Sequence, residues 1–348
     1  MNNAPILLLA SERSGTNLMR SMFNQHSQVV GPPVAHMLKI IWRNLELYGD
    51  LCVEDNLRAV AEDCVALTQS KLTNWPMKPT VESVLNGAPC PTLCGIVGQI
   101  HAELAKFEGK ETWFCKENDL WQFAAGMAHA YPNCRIIYLF RDGRDVALSM
   151  QNARRSNMTF RELAIKWRRE QHECQKVYTD LSALVRCTKL SYAELIRDPE
   201  KVLRKICDDI ELPFEPAMLD WGQSKKAKQE AQNVKMWQNI DKPILKDNVA
   251  KYKTQVVPWK IALFESIAGD TLKALGYRLE AASAKNEEKT GSVVCCQSLR
   301  EKAERWNLTR QMRNFPKEPA RIDREQVIAQ IRTRLLAKNR SENLNSEV

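Results

Sequence analysis

The sequence predicts an α/β fold, with a central, mainly parallel sheet flanked by helices in three layers. Three observations predict it: a strand–turn–helix unit at the start of the chain, a second of the same pattern near its middle, and long amphipathic helical stretches around them. In the first unit residues 5–10, Pro-Ile-Leu-Leu-Leu-Ala, are a short apolar run bounded by Pro5 and a polar turn, the pattern of a buried strand. Residues 11–17, Ser-Glu-Arg-Ser-Gly-Thr-Asn, are the turn, and residues 18–25 are a helix, with Leu18, Met19, Met22 and Phe23 at helical spacing. In the second unit residues 136–140, Ile-Ile-Tyr-Leu-Phe, end in the charged turn Arg141-Asp-Gly-Arg-Asp145 and enter a helix through Ser149 and Met150.

Both turns suit an anion. Gly15 lets backbone come close to a ligand, and the turn offers backbone N–H groups, the side chains of Ser14, Thr16 and Asn17, and the positive end of a helix to one point. Arg13 adds a full charge. The Gly-x-x-x-x-Gly-Lys-Ser/Thr spacing of a nucleotidase loop is absent, and no acidic residue is placed for magnesium, so no metal is expected. In the second unit Arg141 falls at the strand's carboxyl end and Ser149 about two turns into the helix, where both reach one phosphate across the mouth of a parallel sheet. Each turn also has a plain reading, a helix cap for the first and a stitch of Arg–Asp pairs for the second.

Taken together, Ser11-Glu-Arg-Ser-Gly-Thr-Asn-Leu-Met-Arg-Ser21 and Phe140-Arg-Asp-Gly-Arg-Asp-Val-Ala-Leu-Ser149 resemble the sulfotransferase family over roughly residues 4–280. Arginine in the first turn, where animal cytosolic members have lysine, is more similar to the bacterial and tyrosylprotein-type branches. The resemblance implies a P-loop-like three-layer fold and 3′-phosphoadenosine-5′-phosphosulfate (PAPS) as sulfuryl donor, with PAP as product. It implies that Arg13, Ser14, Gly15, Thr16 and Asn17 hold the 5′-phosphosulfate, that Arg141 and Ser149 hold the 3′-phosphate, and that Tyr192 lies by the adenine.

Whole-chain numbers agree with an enzyme of this size. At 348 residues, with 44% hydrophobic and 27% charged, the chain buries one large core. Of its net charge of +9, residues 281–348 contribute +5, from 14 Lys and Arg against 9 Asp and Glu, so the body is only mildly basic. That favours a focused anion site over a nucleic-acid face, and no nucleic-acid motif is present. The eleven cysteines are scattered without a zinc spacing and read mostly as small buried hydrophobes. With no basic, apolar leader and no segment of about 20 apolar residues, the expected location is the cytoplasm.

Along the remaining chain, residues 26–36 leave the first helix and cross the sheet's carboxyl edge toward the acceptor. The family commonly has Glu where this chain has Val34, which leaves His36 as the expected general base; a helix-capping or packing histidine is the plain alternative. His26 reads as structural. Residues 37–110 are helices interrupted by loops at 74–80 and 87–91, with Trp75 a packing residue. Residues 112–116 are a strand ending at Lys116, a position where the family often has lysine, so Lys116 is a candidate for stabilising the transferring group; a surface ion pair is the alternative. A helix over 159–184, a strand over 185–190, a turn over 191–199 and a helix over 200–210 follow. Residues 235–252 resemble the late loop closing over the nucleotide, with Lys251 a candidate for the 3′-phosphate, and 261–275 are a helix.

The expected division is a sulfotransferase domain over 1–280 and a basic helical extension over 281–348. In the extension a linker (281–292) precedes helices at 299–312 and 322–336, which pack on the body or pair with a second copy in a homo-oligomer, and the last ten residues are disordered. The expected chemistry is in-line sulfuryl transfer to a hydroxyl or amine of a small-molecule, carbohydrate, lipid or peptide acceptor, with no metal and no nucleic-acid partner. A catalytically silent PAP-binding protein and an ATP-dependent phosphotransferase are the alternatives.

Overall fold

A computed structural model describes residues 4–153, 156–222, 247–280, 291–314 and 318–346. Strands β1 (Ile6–Leu9), β2 (Val29–Val30), β3 (Thr112–Cys115), β4 (Arg135–Phe140) and β5 (Arg186–Ser191) form one sheet in the order β2-β3-β1-β4-β5, and every pairing is parallel. β1 is the central strand, with Leu7 in register with Cys115 on one side and Ile136 on the other. Parallel strands covered on both faces need apolar side chains on both, so β1 reads as an unbroken hydrophobic run. Leu7 and Leu9 enter one core with Trp113, Ile100 and Val60; Ile6 and Leu8 enter the opposite core with Met22, Phe23 and Leu203.

The helices are α1 (Thr16–Asn24), α2 (Met37–Trp42), α3 (Glu54–Gln69), α4 (Val81–Gly87), α5 (Leu93–Phe107), α6 (Ala124–Ala130), α7 (Gly143–Asn152), α8 (Phe160–Leu181), α9 (Tyr192–Arg197), α10 (Pro199–Asp209), α11 (Tyr252–Gln255), α12 (Pro258–Ala274), α13 (Gly291–Arg313) and α14 (Pro319–Ser346). A third core joins α7, α8 and α12 through Val146, Trp167 and Phe264. The start of α8 is fixed by a reciprocal pair of hydrogen bonds between Thr159 and Glu162.

Three local expectations need correcting. The edge strand β2 was read as loop, because two residues are too few to show a period. Residues 192–197, read as part of a turn, are the helix α9, capped by Ser191 and Glu194 in the Ser-x-x-Glu arrangement that the sequence does contain. The last helix does not stop at Leu336 but runs to Ser346. Residues 223–246 and 281–290, which hold most of the expected nucleotide-closing loop and the linker, lie outside the described residues.

The C-terminal extension packs on the body. Ile331 and Leu335 of α14 enter the core that also contains Val60 and Leu67. Arg334 pairs with Asp63, and Asp323 accepts from the Lys71 amide at 2.8 Å. From α13, Glu304 accepts from Gln151 at 2.7 Å and pairs with Lys260 at 2.5 Å. The described cysteines are free thiols, most of them buried. Among the described residues no helix is long and apolar enough to cross a membrane.

Candidate active site

Because all five strands run parallel, their carboxyl ends share one edge, and the segments leaving them carry every candidate residue. The cradle leaves β1. Gly15 is the N-cap of α1 with φ +90°, a conformation that penalises any Cβ, and a Cβ there would stand 2.3 Å from the Tyr192 ring. The close approach that requires glycine is therefore to Tyr192, not only to a ligand. Ser14 is fully buried and its Oγ has no hydrogen-bond partner.

The turn after β4 meets this cradle directly. Arg141 Nη1 donates to the carbonyl of Arg13 at 2.9 Å, although the two residues are 128 apart in the chain. Its Nη2 donates to the Asn248 carbonyl at 2.8 Å, while its Nε is buried without a partner. The guanidinium lies 4.5 Å from the centroid of the Tyr192 ring, and the Tyr192 hydroxyl accepts from Asn248 Nδ2 at 2.9 Å. Arg13 Nε donates to Ser149 Oγ at 3.0 Å. The two anion sites expected from sequence are thus contiguous. Tyr192 is wedged between Gly15 and Arg141 as the cradle wall.

The rest of the Arg141–Asp145 turn is structural, as its plain reading had it. Buried Arg144 pairs with Asp142 at 2.7 Å and Glu265 at 2.5 Å, and Asp145 accepts from the amides of Ala250 (2.7 Å) and Tyr252 (3.0 Å). These bonds bring residues 248–252 to the cradle. Lys251 caps α11 and has no hydrogen bond to the cradle among the described residues.

A second group of side chains gathers at the end of β3. Lys116 is not in a surface ion pair: it is half-buried, and its Nζ reaches Asn118 Oδ1 at 3.4 Å. Asn118 in turn donates to Glu12 of the cradle turn at 2.6 Å. Burial lowers the Lys116 pKa to about 8, with Glu12 opposing the shift. The neighbouring Glu117, 5% exposed, was not singled out from sequence; its signal was a second charge directly after an apolar strand. Burial pushes its carboxyl up to about 7 against the opposing pull of Arg324 and the amides of Met37 and His36, and its Oε2 has no partner.

His36 is the N-cap of α2 in the left-handed region (φ +53°), which costs a non-glycine residue about 1 kcal/mol. Arg13 (φ +67°) and Asp119 (φ +58°) are in the same region, so strained backbone collects around this edge. Glu117 Oε1 accepts from the Met37 amide at 3.3 Å and so holds the turn that carries His36. Burial, then the charges of Lys116, Arg324, Lys39 and Arg321, keep His36 well below the ordinary imidazole value, and its Nδ1 is buried without a partner. A carboxyl group thus does stand beside this turn, two residues past the end of β3. His26 and Trp75 are structural as expected: His26 Nε2 bonds the Pro213 carbonyl at 2.7 Å, and Trp75 Nε1 donates to the Pro33 carbonyl at 2.9 Å.

A parallel α/β sheet carries a glycine-turned cradle on its central strand, and an arginine from the next strand is bonded to that cradle, a framework suited to holding an anionic group. A model of the sulfotransferase family matches residues 5–216, more than half of the chain, and the chain belongs to that family. It is similar to a protein-tyrosine sulfotransferase of Drosophila melanogaster, 23% identical over 223 residues that are 60% of this chain and 38% of the relative. It is also similar to protein-tyrosine sulfotransferase A of Caenorhabditis elegans, 22% identical over 281 residues, 76% of this chain and 65% of the relative. The chain therefore spans less than two thirds of either relative. Among solved structures, the sulfotransferase domain from the curacin biosynthetic pathway superposes with a TM-score of 0.54 at 21% identity, over 79% of this chain and 98% of that one. That likeness concerns the fold.

Proposed function

We propose that this chain moves a sulfuryl group from PAPS to a hydroxyl or amine acceptor, with residues 1–280 as the catalytic body. The observation that carries the reading is the Arg141–Arg13 hydrogen bond of 2.9 Å, which makes one site of two motifs. Buried Ser14 Oγ and Arg141 Nε, both without partners, fit a ligand with anionic oxygens, since unpaired buried donors are costly. On this reading Arg13, Ser14, Gly15, Thr16 and Asn17 hold the 5′-phosphosulfate, and Arg141 and Ser149 hold the 3′-phosphate. Tyr192, with one face under Arg141, fixes that guanidinium beside the adenine. PAPS supplies an activated sulfuryl group whose S–O bridge breaks as the acceptor's bond to sulfur forms.

The chain's own residues orient the two partners and move one proton. Lys116, cationic below about pH 8, and Arg13 offset the charge left on the bridging oxygen. His36 is held neutral and so has a lone pair for the acceptor's proton, and Glu117 holds the turn that carries it. A second reading makes Glu117 itself the base, favoured by a carboxyl pushed up to about 7, near the working pH.

Calorimetry and label transfer test these readings. PAP should bind and raise the melting temperature where ATP with magnesium does not, and labelled PAPS should pass its label to an acceptor in a panel of hydroxylated compounds. Failure to take up PAP overturns the proposal. Binding of PAP with no transfer to any acceptor would leave a silent nucleotide-binding protein. His36→Asn and Glu117→Gln separate the two bases, because only loss of the true base abolishes the rise of rate with pH.

A further inference from the structure

Arg324 belongs to α14, outside residues 5–216 that match the family, yet it is among the most deeply buried charges in the chain, 4% exposed. Among the described residues all its side-chain hydrogen bonds run through one nitrogen: Nη1 donates to the Leu67 carbonyl, to Ser70 Oγ at 2.8 Å and to Thr73 Oγ1 at 3.1 Å. Nε and Nη2, whose N–H bonds point the same way from one edge of the planar group, are buried with no partner. The guanidinium is thus anchored at one corner, and its other edge is a buried fork without partners among the described residues.

Geometry ties that fork to the candidate active site: Trp75, two residues past Thr73, donates to the Pro33 carbonyl at 2.9 Å, three residues before His36. The Arg324 charge acts on both Glu117 and His36, yet no hydrogen bond or ion pair joins it to either among the described residues. Glu117 Oε2 and His36 Nδ1 are likewise buried and unpartnered, so orphan polar atoms from three distant segments gather there. Lys39, Lys116 and Arg321 add positive charge around His36, while the Lys39 ammonium is paired with Asp119 at 2.6 Å.

We propose that Arg324, delivered by the C-terminal extension, binds a carboxylate of the acceptor through its Nε–Nη2 edge and thereby selects hydroxylated carboxylates over neutral alcohols. A planar, singly charged carboxylate matches the fork with two parallel hydrogen bonds. A doubly charged phosphate would meet stronger repulsion from Glu117. A partly protonated Glu117 can also donate Oε2–H to a bound carboxylate. The inference rests on the sulfuryl-transfer reading for its meaning, but its test does not require turnover.

The probes are 4-hydroxyphenylacetate and its methyl ester, titrated by calorimetry into the full chain with and without PAP. The acid should bind about tenfold or more tightly than the ester, the effect of a charge-assisted pair. Arg324→Gln should remove that ratio and Arg324→Lys should lower it, with PAP affinity kept. Equal affinities for acid and ester in the wild type, or a ratio that survives both substitutions, overturn the inference. A purely structural Arg324 would lower the melting temperature without moving the ratio, and that also overturns it. Should both variants fail to fold, a crystal of the wild-type protein with the acid decides: carboxylate oxygens on Nε and Nη2 support the inference, and a carboxylate bound elsewhere sinks it. Loss of PAP binding in the wild type would count against the sulfuryl-transfer reading alone.

Discussion

At the ends of β1 and β4 Arg141 bonds the Arg13 carbonyl and Arg13 bonds Ser149, with only Ser14 Oγ and Arg141 Nε left over among the described residues, whereas around the end of β3 His36, Glu117 and Arg324 are buried with atoms left unpaired and their pKa values displaced. The first region is pre-formed: its donors are already aimed by short bonds within a rigid edge. The second is energetically unsettled, with a carboxyl pushed up to about 7 and an imidazole pushed down by the same burial. The difference teaches that, on the proposed reading, the donor side is tuned by geometry and the acceptor side by desolvation. Substitutions on the two sides should therefore fail in different ways.

The sharpest break would come from Arg141→Ala, which removes a charge, both of its carbonyl anchors and the partner of Tyr192. PAP affinity should fall roughly 100-fold, about 2.7 kcal/mol, in calorimetry. Gly15→Ala should rank next, because the residue combines φ +90° with a Cβ position 2.3 Å from the Tyr192 ring. Loss of about 2 kcal/mol in denaturant unfolding is expected, with weaker PAP binding. If Gly15→Ala is neutral, the donor side is less rigid than its contacts imply.

On the acceptor side Glu117→Gln should be distinguished by pH. The carboxyl's pKa is raised from 4.5 to about 7, so the folded state binds the extra proton between those values. Wild-type stability is therefore highest with respect to this group below about pH 4.5 and declines as pH rises toward 7. Glu117→Gln should be more stable than wild type at pH 8, by about 1 kcal/mol or more, and show little gain at pH 4.5. Melting curves at the two pH values check this, and a gain that is the same at both would break the desolvation account. The smallest effect should be that of Ser149→Ala, which deletes one neutral hydroxyl bonded to Arg13 and should weaken PAP binding only several-fold.

Motifs marked the two stretches of the proposed donor side. Arg13, Ser14, Gly15, Arg141 and Ser149 lie in two continuous stretches, and a parallel sheet places all strand ends on one edge. Tyr192 was also found, but its place against Gly15 depends on how α9 sits. Glu117 escaped notice beside Lys116, since nothing in a Lys-Glu pair tells which side chain turns inward. Arg324 carried no signal at all: one arginine among many in a basic tail, its burial follows from Ile331 and Leu335 docking α14 on the body.

By itself the sequence determined the class of fold and marked the stretch proposed as the anion cradle, because apolar runs, turn residues and helical spacing act over a few neighbouring positions. Only the tertiary structure decided that residues 36, 117 and 324 share one buried place. Burial and pairing are set by which helices cover which face, and that is a property of the whole packed chain, beyond any local stretch.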